Sequence, residues 1–199
     1  MTGEFRWNLK ASFRSYVGGI EDGAETWLSD VGALHPDELV FVQDPTEAGV
    51  DAVDVTAGVL RYLGRVRFSG YRAMLMVNIT DPWVHLDPGG VTVSVDVASQ
   101  ETAPRRVDIA RGPSLAPVVD ERALAWGPVP LALTSVGATI LGGVYREGDA
   151  LDDAWFSFTS SAAARQRKNL DSARATIAPG RMRDPTRTGE TKRTRSSPS

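Results

Sequence analysis

The alternation in VTVSVDVAS, residues 91–99, constrains this chain more than any other stretch. Val91, Val93, Val95 and Val97 fall on one side and Thr92, Ser94 and Asp96 on the other, a period of two that fits a strand with one dry and one wet face. RVRFSGYRAMLMVNI, residues 65–79, repeats the pattern. Val66 and Phe68 oppose Arg65 and Arg67, and then Ala73, Leu75, Val77 and Ile79 share a face. Ser69 and Gly70 interrupt the run, which therefore reads as two strands or as one strand with a glycine bulge.

Shorter runs predict further strands over 38–42, 59–63, 82–86, 106–110, 130–136, 138–141 and 153–159. Turn signals separate them at Asp87-Pro88-Gly89-Gly90, Gly112-Pro113, Gly127-Pro128 and Gly142-Gly143. Residues 43–58, QDPTEAGVDAVDVTAG, are acidic and weakly periodic and read as a surface loop or variable hairpin. The expected fold is mainly β, a β-sandwich or partly open barrel with a short N-terminal helix and room for a C-terminal helix around 162–175. The N-terminal helix is drawn from FRWNLKASFRSYV, residues 5–17. On a helical wheel Leu9, Phe13, Tyr16 and Val17 share a narrow arc while Lys10 and Arg14 lie away from its centre. The Tyr16 phenol is thus expected to point at the β-core, with Gly18 or Gly19 supplying a left-handed helix end.

Charge divides the chain. Residues 165–199 hold ten Lys and Arg against three acidic residues, a charge of +7, whereas residues 1–164 carry −10. The basic segment is poor in large apolar residues and cannot bury enough surface to offset chain entropy. The expected organisation is one domain over 1–164 and a disordered tail over 165–199.

Several function classes fall away. The chain has no cysteine, which excludes disulfides, thiol nucleophiles and zinc–thiolate sites. No stretch approaches eighteen consecutive apolar residues, so no membrane-spanning helix is expected. Glu4, Arg6, Lys10 and Arg14 interrupt the first twenty residues, which leaves no apolar core for a secretory signal. As written the chain reads as cytoplasmic, the alternative being a true start further upstream. His35 and His85 are spaced neither as a metal pair nor within a triad pattern. Asp51, Asp54, Asp152 and Asp153 stand in loop-like contexts and read as solvated charges. The glycines of GGI, DPGG and LGGV form no phosphate-binding loop. No enzyme is expected.

FRWNLKASFRSYVGG, GRVRFSGYRAMLMVNITDPWVHLD, VTVSVDVAS and ATILGGVYREGDALDDAWFSF follow one another in order along residues 5–159. In that order they resemble the HtaA domain, the haem-binding module of actinobacterial haem-uptake proteins. The resemblance implies a non-catalytic module for haem capture, transfer or storage. It also implies that Tyr16, the tyrosine of a W-x-x-K-x-S-F-R-x-Y block, is the axial ligand to ferric haem iron. Tyrosinate is a hard anionic oxygen donor suited to Fe³⁺.

The family block F-x-G-H-x-G-x-L corresponds to Phe68-Ser69-Gly70-Tyr71-Arg72-Ala73-Met74-Leu75, with Tyr71 where the histidine partner of the ligand is expected. A phenol is a poorer base than imidazole, which implies weaker haem binding than in the family. Arg72 is adjacent, where it would pair with a haem propionate or stabilise a phenolate. Tyr145 in LGGVYREGDALDD matches a family block near the pocket and reads equally as a core tyrosine at a strand end; Leu141 and Val144 replace common aromatics there. Two readings stay open: haem binding through Tyr16, or a module that has lost haem and serves as a protein-interaction or other ligand-binding domain. Implied partners are haem and another haem protein, since family members are usually exported or held at the cell surface. The basic tail lacks interleaved aromatics, so no specific nucleic acid is expected, only nonspecific attraction to anionic surfaces.

Overall fold

The computed structural model describes residues 3–46, 57–97, 105–119 and 123–159. Along the chain these form β1 (Glu4–Trp7), α1 (Ala11–Gly18), β2 (Ala24–Trp27), β3 (Ala33–His35), β4 (Glu38–Gln43), β5 (Gly58–Leu63), β6 (Arg65–Gly70) and β7 (Leu75–Asp87). There follow β8 (Gly90–Val97), β9 (Arg105–Gly112), β10 (Val118–Val119), β11 (Leu124–Val129), β12 (Ala132–Leu133), α2 (Ser135–Ile140) and β13 (Ala154–Phe158). The strands join one antiparallel sheet in the order β10-β11-β13-β1-β4-β5-β7-β8-β9-β12, with β3 beside β4 and β6 carrying β2 beside β7. The fold is mainly β, a curled sheet closing into a partly open half-barrel, as the alternating pattern predicts.

The curl has a local cause at Gly64. β5 and β6 lie end to end along one edge of β7, pairing Leu60 with Val84 and Val66 with Ile79, while Val42 of β4 pairs with Leu63. Between the two strands the Gly64 N–H donates to Asp81 Oδ1 at 3.0 Å and the Asp81 N–H returns to the Gly64 carbonyl at 2.9 Å. Gly64 has φ +148°, and a Cβ there would lie 2.8 Å from the Phe41 ring. A bare backbone is what lets the sheet turn this corner over a packed aromatic.

The inner face is filled by alternate residues. Val77, Ile79, Val84 and Leu86 of β7 meet Val91, Val93 and Val95 of β8, and Phe5, Trp7, Phe41 and Tyr62 are fully buried. Phe5 stacks obliquely on Tyr62 at 5.6 Å, and Phe13 of α1 meets Phe68 edge-on at 5.2 Å. Such ring pairs add to the burial that drives the sheet closed.

Several local expectations are corrected. The opening helix begins later: residues 4–7 are β1, which pairs with both β4 and β13, and Leu9, at φ +64°, turns the chain into α1. A wheel drawn over residues 5–17 merged a two-residue period with a 3.6-residue one. Consequently Tyr16 does not face the core but is 47% exposed, and Arg14 is buried instead. Neither Gly18 nor Gly19 is left-handed; Gly19 has φ −85°, and its N–H reaches the Ser15 and Tyr16 carbonyls. The strands expected over 130–136 and 138–141 reduce to the two residues of β12 followed by α2. Thr134 decides this by accepting the Gly137 N–H at 2.9 Å, an N-cap that starts a helix despite the β-branched run.

The two strands drawn over 73–79 and 82–86 are one, β7, with a register shift between Thr80 and Trp83, and residues 65–79 resolve into the β6–β7 hairpin. The expected helix over 162–175, the tail and the middle of the 43–58 segment lie outside the described residues. Among the described residues no helix is long and apolar enough to cross a membrane.

Candidate functional site

Tyr16 and Tyr71 reach one another from different elements. The Tyr16 O–H donates to the Tyr71 oxygen at 3.2 Å, with ring centroids 6.4 Å apart. Both rings stay open to solvent, 47% and 48% exposed. That hydrogen bond is the main reason the Tyr16 phenol ionises above its ordinary range; partial desolvation and the neighbouring phenols of Tyr71 and Tyr145 push it the same way.

α1 is held in place by polar contacts on two sides. At its start, Asp152 accepts the Ala11 N–H at 3.1 Å and the Asn8 side-chain amide at 2.5 Å, while the Trp7 indole N–H donates to the Asp152 carbonyl at 2.8 Å. Along its flank the buried Arg14 guanidinium spreads over three partners. It contacts both carboxylate oxygens of Glu25, the nearest at 2.7 Å, the His35 carbonyl at 2.9 Å and Asn8 Oδ1 at 2.5 Å. A buried guanidinium is tolerable because its fork is satisfied and neutralised.

Tyr71 begins the turn between β6 and β7, where Tyr71, Arg72 and Ala73 all have positive φ (+52°, +54° and +67°). The Asp22 carboxylate accepts the Tyr71 and Arg72 N–H groups at 2.8 and 2.5 Å. Arg72 is exposed, and among the described residues its guanidinium has no hydrogen-bond or ion-pair partner. Tyr145 lies in the loop after α2, half-buried against the core, with its oxygen 3.4 Å from Ser12 Oγ and its ring 5.0 Å beneath Lys10 Nζ. Tyr145 is thus on the α1 side that Tyr16 occupies, in a loop rather than at a strand end. Gly142 of this loop approaches Leu75 at the start of β7.

Exposed apolar side chains accompany the tyrosines: Met74, 89% exposed, closes the Tyr71 turn with its N–H on the Tyr71 carbonyl, and Val144, 75% exposed, precedes Tyr145. An apolar rim, two phenolic oxygens and the unpaired cation Arg72 suit a flat apolar ligand with anionic groups and a hard metal centre. The residues present therefore fit haem. Among the described residues no cluster of His, Asp and Glu gathers to hold a bare metal ion.

The other candidates go elsewhere. His85 sits at the far end of β7, on its outer face, 2.8 Å from Ser94 Oγ, and burial lowers its pKa. Beside it the Trp83 ring lies between the guanidinium groups of Arg61 and Arg106, at 4.1 and 3.8 Å. His35 contributes only its carbonyl, to Arg14. Asp152, read from sequence as a solvated charge, anchors α1. Asp22, Glu25 and Arg14 were not singled out, because their partners lie on other elements and no local spacing marks them.

The family model described as Htaa matches residues 2–157. The structure resembles the C-terminal domain of HtaA from Corynebacterium glutamicum with a TM-score of 0.66 at 21% identity, covering 80% of this chain and 96% of that one. The N-terminal domain of the same protein gives 0.64 at 22%, covering 81% and 98%. The heme binding protein HtaB of that organism gives 0.57 at 18%, covering 79% and 92%. No curated protein matches the chain. The structural likenesses speak for the fold alone, but the family model spans most of the sequence from the first strand to the last, and by that match the chain belongs to the HtaA family.

Proposed function

We propose that this protein binds ferric haem without turning it over, with Tyr16 as the residue that meets the iron. The observation that carries the reading is the pair of exposed phenols, 3.2 Å apart, set in an apolar rim on a rigidly anchored helix. Tyr16 supplies the hard oxygen donor. Tyr71 accepts the Tyr16 proton's hydrogen bond in the free protein and can instead donate to a Tyr16 phenolate, since a hydroxyl does both. Leu75, Val144 and Tyr145 offer apolar and aromatic surface, and Arg72 an unpaired cation for a carboxylate. Bound haem would supply an iron centre and a spectroscopic marker, and capture, transfer or storage is the role in keeping with a ligand held by an exposed phenol.

A titration with hemin followed by absorbance tests this, run on the wild type, Tyr16→Ala and Tyr71→Phe. Saturable binding with a tyrosinate charge-transfer band that Tyr16→Ala removes is the expected result. Binding in the wild type no stronger than to an unrelated acidic protein would overturn the reading. It would favour the second one, a module that keeps the fold without haem and whose exposed rim meets a protein partner or another ligand.

A further inference from the structure

The β6–β7 turn places three successive non-glycine residues in the left-handed region. Each such residue is strained, because its Cβ crowds the following carbonyl oxygen, and a run of them persists only where the surroundings over-determine it. Successive backbone N–H groups in this conformation converge into a concavity that suits an anion. Here the anion is built in: each oxygen of the Asp22 carboxylate takes one N–H, from Tyr71 and from Arg72. We infer that Asp22 is the positioning residue that presents Tyr71 to Tyr16, its carboxylate holding the turn in the one conformation that brings the two phenols together.

The placement of Asp22 supports this. It follows α1 in a short loop whose Ile20 N–H donates to the Val17 carbonyl at 3.1 Å and whose Gly23 N–H donates to the Ile20 carbonyl at 2.9 Å. The buried Ile20 side chain lies against Gly70, where a Cβ would approach it to 2.9 Å, just before Tyr71. The loop leaving the helix that carries Tyr16 thus grips the turn that carries Tyr71. Both rings are about half exposed, so ring packing does not fix their separation, and the backbone link through Asp22 does. A charge-assisted bond to each N–H makes that link stronger than a neutral acceptor would.

The consequence for haem rests on the function proposed above, but the turn itself can be read without haem. In the ¹⁵N-labelled full-length protein, the Tyr71 and Arg72 amides should be protected from exchange and show the couplings of positive φ, with a cross-relaxation peak between the Tyr16 and Tyr71 rings. Asp22→Ala should abolish all three while the β7 and β8 core amides stay protected. Asp22→Asn, with one acceptor oxygen, should fall between. If Asp22→Ala does not fold, adding Ala73→Gly, which accepts positive φ without strain, should restore the fold and part of the turn. With hemin, Asp22→Ala should weaken binding about tenfold, as loss of a supporting contact does, and alter the charge-transfer band; a merely destabilising change would leave that band intact in the folded fraction.

Retention of the couplings and the ring contact in Asp22→Ala would overturn the inference, as would an unchanged band and affinity in Asp22→Ala where the wild type binds hemin. Failure of the wild type to bind hemin would instead remove the proposed function, and the amide measurements would still decide the role of Asp22.

Discussion

Coordination by Tyr16 requires its proton to leave, and in the free protein Tyr71 accepts that proton's hydrogen bond and raises the Tyr16 pKa. Hemin affinity should therefore climb with pH, by up to about tenfold per unit while Tyr16 remains protonated, and equilibrium titrations between about pH 7 and about pH 9 would measure the slope. An imidazole at position 71 would accept the proton more readily, so Tyr71→His should tighten hemin binding by about tenfold. A lower affinity in that variant would count against the helper role. Tyr62 shows the same sign of shift for another reason. It is fully buried, burial pushes its phenol well above the ordinary value, and its O–H donates to the Ser157 carbonyl at 3.0 Å. A raised folded-state pKa means that the stabilisation is complete below the unfolded value of about 10 and is lost as pH rises beyond it. Urea unfolding at about pH 8 and about pH 11 should show this loss, and Tyr62→Phe should lessen it.

At the level of elements, α1 is a short helix whose placement comes from its anchors. Helices this short have little stability of their own. Removing Arg14 strands the Glu25 carboxylate and the Asn8 and His35 acceptors, and Arg14→Ala should cost about 3 kcal/mol, the lower end for breaking a buried pair, because Glu25 keeps some contact with water. Chemical denaturation would give the figure, and Arg14→Lys should recover little of it, since an ammonium cannot span the same fork. The alternating strands were legible from sequence because each carries its own period: Val91 to Val97, Val66 to Phe68 and Val77 to Ile79 all lie where the pattern puts them. β1, β2, β3 and α2 were not, since four-residue strands such as AETW carry too few repeats, and the Thr134 cap outweighs the β-branched residues after it. Tyr16, Tyr71 and Tyr145 came from an ordered set of motifs and Arg72 from its adjacency to Tyr71, and the structure sets Tyr16 against Tyr71, with Arg72 in the same turn. The parts of the site fixed by distant pairings, Arg14 with Glu25 and Asp22 with the Tyr71 turn, leave no local trace in sequence.

For the molecule as a whole, the last core residue in the described sheet is Phe158 and the family match ends at residue 157. A chain ending at residue 164 should keep the melting temperature and any hemin spectrum of the full-length protein, which thermal melts followed by circular dichroism would check. A large drop would show that the +7 segment contributes to the fold. The sheet also joins the two ends of the domain: β1 runs between β4 and β13, with Phe5 opposite Phe156, and the Gly3 N–H donates to Gln43 at 3.2 Å. Because β1 and β13 are antiparallel and their outer ends lie together, tension applied through the two ends would open the pair one hydrogen bond after another, as a zip opens, instead of loading all the bonds at once. Mechanically, the seam between the first and last strands is where this domain would begin to open.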